Sequence, residues 1–282
     1  MRITAFRSTQ SVQSIKRFNN PTQQNPISGA VLRSLNGDTV TVSFGSRRAL
    51  QDVTCEGDKK INDESVITKK LTAKGNLSVS DFSDIDASDD ITVKGDLSVS
   101  DSTVKTGKSI KLEGDLSADN STIEGRDIMV KKRAFVTNSK VMASGDFIAE
   151  EGVSADLSTI YTRRKFTTNE LSATKSNIIT WENVSIGRIT KFDRSTFYRN
   201  SRKREAKATM TIGAIEDSVK KINVVLGEGI SRFELHLGDE LAALSDPEIL
   251  KRFKFSRIME GTQEFLSGTA LTDIVKIVRK VM

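Results

Sequence analysis

The chain has 282 residues, 37% of them hydrophobic and 6% aromatic, and carries a formal net charge of +6. A single cysteine, Cys55, excludes an intramolecular disulfide and a multi-cysteine metal site. No apolar run approaches the ~18 residues of a membrane-spanning helix, and no hydrophobic core of a secretory signal peptide stands near the N-terminus.

Residues 1–38 read as a flexible leader. They contain Arg2, Arg7, Lys16, Arg17 and Arg33, and the first acid is Asp38. The segment is rich in Ser, Thr, Gln and Asn, with Pro21 and Pro26, and is too polar to offset its ordering entropy by burial. Ile3, Phe6, Val12, Ile15 and Phe18 fall at multiples of three, which allows a weak amphipathic helix. A disordered tail and a mitochondrial presequence both have this composition. The leader also resembles the export signal of effectors secreted by the bacterial type III apparatus, which implies delivery into a host cell.

Residues 39–198 read as a β-strand followed by a parallel β-solenoid. Val40, Val42 and Phe44 alternate with polar residues, the mark of a half-buried strand. A repeat then begins. Gly75-Asn76-Leu77-Ser78-Val79-Ser80-Asp81 returns at Gly95 and Gly114, and more loosely at Gly145. Apolar pairs spaced by two form sets that start at Leu71, Ile91, Ile110, Ile128, Phe147, Phe166 and Val184, which are 20, 19, 18, 19, 19 and 18 residues apart. Period two places alternate side chains on one side of a short strand. Three such strands with polar corners make a triangular coil of about 19 residues, and about seven coils must stack to close a core. At ~4.8 Å per coil the rod is about 30 Å long. Gly145, out of step with the other glycines, belongs to a different side of the coil. Gly, Asp and Asn fill the corners, where Gly supplies positive φ and Asp or Asn bonds its own backbone. An antiparallel sandwich competes, but these strands are short and the period regular.

Gly114-Asp115-Leu116-Ser117-Ala118-Asp119, with Ile123-Glu124-Gly125 after it, resembles the repeats of bactofilins, over residues 66–160 at most. That resemblance implies a triangular β-helix that polymerises end to end without nucleotide. About 80 further residues follow the repeats here, where bactofilins have a short tail, which puts polymerisation through that end in doubt.

Residues 199–282 read as a basic linker and a mostly α-helical cap, expected because an open solenoid end exposes strand edges. Ile215, Val219, Ile222 and Leu226 stand at helical spacing, whereas Phe233, Leu235 and Leu237 alternate as in a strand. Ser245-Asp246-Pro247-Glu248 is a helix start, with a capping Ser, Pro in the first turn and Glu three residues on. Leu250, Phe253, Ile258 and Phe265 continue an interrupted helical pattern, and Leu271, Ile274, Val278 and Val281 mark a final amphipathic helix.

The chain offers little catalytic chemistry. His236 is the one histidine, and alternation puts it on the polar side of its strand. Cys55 reads as a structural thiol. No phosphate-binding Gly-x-x-x-x-Gly-Lys-Ser/Thr loop, Gly-x-Gly-x-x-Gly or His-Glu-x-x-His occurs. The acids Asp81, Asp84, Asp86, Asp89, Asp90, Asp96 and Asp101 read as solvated corners, not as the Asp cluster of a β-helix enzyme or a Ca²⁺ site. No cofactor is expected. The candidate binding residues are three basic clusters: Lys131, Lys132 and Arg133; Arg163, Arg164 and Lys165; and Arg202, Lys203 and Arg204. The function expected is a non-catalytic bacterial effector that binds a host protein through the solenoid and its cap. The alternatives are a bactofilin-like scaffold in the bacterial cytoplasm that associates with itself and, behind it, a β-helix enzyme. Nucleic acid is disfavoured as a partner because few aromatics interleave with the cations. An anionic membrane surface stays a candidate.

Overall fold

A computed structural model describes residues 31–33, 39–41, 50–201 and 206–279. The chain is mainly β, a parallel β-solenoid of about eight turns with about 19 residues per turn. Each regular turn has three short strands, one on each face. In the fourth turn these are Ser109–Leu112 on the first face, Leu116–Asp119 on the second and Thr122–Gly125 on the third.

Alternation sets the inside. In Leu97–Ser100 and Leu116–Asp119 the leucine and its apolar mate two residues on are buried, while the serine between them is exposed. On the first face Leu71, Ile91, Ile110, Ile128, Phe147, Phe166 and Val184 lie one above another. On the third face Val66, Ile85, Val104, Ile123, Val141, Ile160, Ile178 and Phe197 do the same. The seven apolar sets are therefore seven stacked turns in the expected register. One further turn precedes them: Asp52–Cys55, Lys59–Asn62 and Ser65–Thr68. Its second strand buries Ile61 but has Lys59 where the inward partner would be, so the apolar pair that marks the other turns is missing.

The corners differ from one another, and each is held by its own ladder of hydrogen bonds between turns. At the border of first and second faces an Asx side chain reaches up to the next turn. Asp58 Oδ1 accepts from the Asn76 N–H (2.7 Å), Asn76 Oδ1 from Asp96 (2.8 Å), Asp96 Oδ1 from Asp115 (2.8 Å) and Asp115 Oδ1 from Arg133 (2.9 Å). A Cβ on Gly95 would lie 2.2 Å from Asn76 Oδ1, and one on Gly114 2.1 Å from Asp96 Oδ1. These glycines therefore make room for the carboxylate or amide below. They do not supply positive φ, as the sequence suggested. Gly145 repeats the device at the border of third and first faces, against Asp127 Oδ1, which explains its offset.

At the border of second and third faces runs a buried serine ladder. Ser102 Oγ accepts from the Ser83 N–H, Ser121 from Ser102, Ser139 from Ser121, Ser158 from Ser139, Ser176 from Ser158 and Ser195 from Ser176, at 2.9–3.2 Å. The residue before each serine has positive φ: Phe82, Asp101, Asn120, Asn138, Leu157, Lys175 and Arg194. That left-handed residue turns the chain so that the serine N–H points along the rod at the next Oγ. Asp and Asn tolerate the conformation; Leu, Lys and Arg adopt it at a cost of about 1–2 kcal/mol. Each ladder bond keeps a buried N–H satisfied, which would otherwise cost ~1–3 kcal/mol.

The C-terminal part corrects the helical expectation. Strands Ala206–Ile215, Ile230–Leu237 and Val275–Arg279 extend the first face, and Ile222–Leu226 and Phe253–Met259 extend the third. The helical spacing of Ile215, Val219, Ile222 and Leu226 spans one strand end, one turn and one strand. The operative signal is period two, with Ile222, Val224 and Leu226 buried, then Phe253 and Phe255. Helices are few and short: Asp239–Ala242, Asp246–Lys251 and Gly268–Ile274. The helix start at Ser245 is where the sequence places it; Glu248 accepts from the Ser245 N–H at 2.8 Å and its Oγ at 2.7 Å. The expected final helix holds Leu271 and Ile274 but changes to strand before Val278; Val281 is outside the described residues. Within the segment read as leader, Val31–Arg33 pairs antiparallel with Thr39–Thr41. The remaining leader residues, 1–30 and 34–38, and the expected strand residues Val42 and Phe44 lie outside the described residues.

Candidate interaction surfaces

The basic clusters do not share one edge of the rod. Lys131 and Lys132 form the corner between first and second faces, and Arg133 opens strand Arg133–Thr137. Arg163, Arg164 and Lys165 form the corner between third and first faces, two turns on. Arg133 is drawn toward Glu170 (3.2 Å) and Glu151 (3.9 Å), and Arg164 toward Asp146 (3.7 Å) and Glu182 (3.9 Å). Arg163 Nε donates to the Tyr161 hydroxyl at 3.3 Å. Arg202, Lys203 and Arg204 lie outside the described residues.

The acids between Asp81 and Asp101 scatter likewise. Asp81 and Asp101 hold positive φ at one corner, Asp89 and Asp90 pair with Lys108 and Lys111 at a second, and Asp96 belongs to the Asx ladder of the third. Among the described residues no group of three His, Cys, Asp or Glu side chains could hold a metal ion. Nor is any described helix long and apolar enough to cross a membrane. Cys55 is buried in the first turn. His236 sits on the outer side of its strand with Nε2 3.1 Å from Glu234 Oε2. Lys207 Nζ (2.7 Å) and Arg232 Nη2 (3.0 Å) converge on the same carboxylate, and these bonds, that from Lys207 foremost, hold Glu234 below the usual carboxylate range. The group reads as an ion-pair knot that fastens the outer surface of the last first-face strands.

Sequence reasoning missed two surfaces. The first is a column on the outside of the third face. It opens on the exposed Ile67, and the next three members are charged: Asp86, Lys105 and Glu124 stand in line. From the fifth turn the same column becomes apolar and aromatic, running Met142, Tyr161, Ile179, Tyr198 and Val225. The first four are partly exposed. Tyr161 therefore points outward, as does Phe135, which is 42% exposed; Phe166 is in the core. A stacking index across turns, not a within-turn motif, would have found the column: Met142, Tyr161, Ile179 and Tyr198 recur at steps of 19, 18 and 19 residues.

The second is a groove of about 650 Å³ where the second face ends. The long strand Val184–Asp193 covers two faces, but the next turn pairs only with Val184–Ile189 before leaving at Glu216. Lys191, Phe192 and Asp193 are thus paired with the turn below, at Ser172–Thr174, and with no described strand above. Phe192 is buried and stacks on Phe197 at 4.8 Å. The far wall is the segment that carries Ser218, Lys220 and Lys221.

One unusual side chain lies inside the rod. Arg199 occupies the inward position that holds Thr180 in the turn below and Leu226 in the turn above. It is fully buried, its Nη2 reaches Thr209 O at 3.4 Å, and its Nε and Nη1 meet no hydrogen-bond partner among the described residues. Burial pushes its pKa down to about 9, which still leaves it charged at neutral pH.

Comparison with family models, curated proteins and solved structures gives no match.

Proposed function

We propose that this chain is a non-catalytic, protein-binding rod. The observation that supports the reading is the outer column of the third face. Outward residues of a solenoid are free to be polar, and after a lone Ile67 in the first turn the next three turns use Asp86, Lys105 and Glu124 there. Four successive later turns instead place Met142, Tyr161, Ile179 and Tyr198 in line, at about 4.8 Å per turn. Tyr and Met are enriched at protein interfaces, and a contiguous apolar patch on a soluble surface marks a partner site. The occupant proposed is a flat protein surface laid along the third face. Delivery of this rod into a host cell, the effector reading, rests on leader composition alone; deleting residues 1–30 should abolish type III export while leaving the rod folded, and undiminished export would end that reading.

The scaffold alternative requires copies to stack end to end in parallel register. At the C-terminal end of the third face, Thr262–Phe265 pairs antiparallel with Phe253–Met259, which interrupts that register. The test compares the wild-type chain with Tyr161→Asp/Ile179→Asp by partner capture and sedimentation. Loss of a defined partner with unchanged melting temperature supports the column. Capture that ignores the substitutions overturns it, and wild-type filaments without nucleotide would establish the scaffold in its place.

A further inference from the structure

We infer that the groove at the end of the second face is a docking site for an extended acidic peptide, which adds to the solenoid as a short strand. Main-chain geometry comes first. Past a bulge at Thr190, Lys191 to Asp193 continue a strand whose neighbour below pairs with them through Ser172 to Thr174 and whose upper neighbour stops at Ile189. A strand edge of this kind is a template for another extended chain, and edge addition is a recurrent mode of peptide recognition in which main-chain bonds supply affinity and side-chain pockets supply specificity. The chain itself closes the start of the edge: Glu216 N–H donates to Ile189 O at 3.0 Å and Ser218 Oγ approaches Thr190 O at 3.4 Å. Beyond that point nothing described covers it.

Charge then selects the occupant. Lys191 and Arg194 stand on the edge, and Lys220 and Lys221 on the facing wall, all exposed. The acid among the lining residues is Asp193, whose contact with Arg194 is a 3.9 Å approach between two exposed groups and therefore weak. Lys221 Nζ is turned to Lys251 O at 3.1 Å. Lys191 and Lys220 form no ion pair among the described residues. Four cations about one strand edge fit a peptide whose side chains alternate between the Phe192 floor and the lysine rim, with Asp or Glu at the rim. This site stands apart from the third-face column, so either can fail without the other.

Fluorescence anisotropy on the full chain tests it, with a labelled eight-residue Val-Glu repeat as the probe. Binding is expected, weakened at least ten-fold in Lys191→Glu/Lys220→Glu and unchanged in Tyr161→Asp/Ile179→Asp. A Val-Lys repeat should not bind. The same Val-Glu peptide N-methylated at alternate residues should also fail, because the methyl groups remove its main-chain donors. Equal binding of the methylated peptide would overturn strand addition, and preference for an oligonucleotide or for anionic vesicles over the peptide would overturn the peptide as occupant. No binding of the Val-Glu repeat at millimolar concentration would overturn the site.

Discussion

Ser139→Ala should weaken the rod through a bond that no within-turn contact reveals. Ser139 is 6% exposed. Its Oγ accepts from the Ser121 N–H at 2.9 Å and donates to Thr137 O at 2.6 Å. Alanine removes both bonds. The carbonyl retains a second lone pair for other donors, but the Ser121 N–H is left buried with no acceptor, and that orphan dominates the cost. A buried unsatisfied donor costs ~1–3 kcal/mol, so a loss of about 2 kcal/mol is expected. For a folded unit of this size that lowers the melting temperature by about 4–8 °C. The control is Ser154→Ala, an exposed serine on strand Gly152–Asp156, expected to change stability by no more than ~0.5 kcal/mol. Thermal melts read the magnitude, and hydrogen exchange of the Ser121 amide reads the mechanism. Equal melting of the two variants with the Ser121 amide still protected would refute the ladder as a source of stability.

Leu116→Asp buries an unpaired charge between Leu97 and Ala134, should cost several kcal/mol, and should unfold neighbouring turns by circular dichroism, whereas Ser117→Asp should be tolerated. Arg199→Met removes a buried charge with few partners and should be neutral or stabilise by about 1–4 kcal/mol, seen as an unchanged or higher denaturation midpoint; a lower one would mean the guanidinium is satisfied after all. Glu234 has a folded pKa below its unfolded value, so its contribution is present above the ordinary carboxylate range and is lost as pH falls through the folded value. Glu234→Gln should accordingly lower the melting temperature at pH 7 and converge with wild type at pH 2–3.

Much of the fold was legible in the sequence because its signal is repeated. Leu97, Leu116 and Val130 point inward and Ser98, Ser117 and Met129 outward, as period two requires. Repetition failed where a turn departs from the pattern. The first turn escaped because Lys59 replaces an inward apolar residue. Of the C-terminal strands, Ile230–Leu237 was legible from the alternation of Phe233, Leu235 and Leu237; the others escaped because insertions such as Asp239–Lys251 lengthen the turns and break the 19-residue step, which left spacings of three and four to suggest helices. The serine ladder was visible as Asp101-Ser102, Asn120-Ser121 and Asn138-Ser139, yet it reads as an ordinary polar corner until successive turns are superposed. Both candidate surfaces belong to that class. Tyr161 touches the residues of its column only across turns, and the groove exists because one strand stops while its neighbour continues. Neither fact is local in sequence. The basic clusters were the opposite case, conspicuous as runs but divided by the fold between two corners and partly engaged by Glu151, Glu170, Asp146 and Glu182.

Site-specific photocrosslinking tests the partner face most directly. A benzophenone side chain is placed at 161 and 179 on the apolar part of the outer column, at 86 on its charged part, and at 117 on the second face. A protein-binding rod that uses the third face should yield one adduct of defined mass with a second protein from 161 and 179, and none from 86 or 117. Adducts from all four positions alike, or from 117 and not from 161, would contradict it.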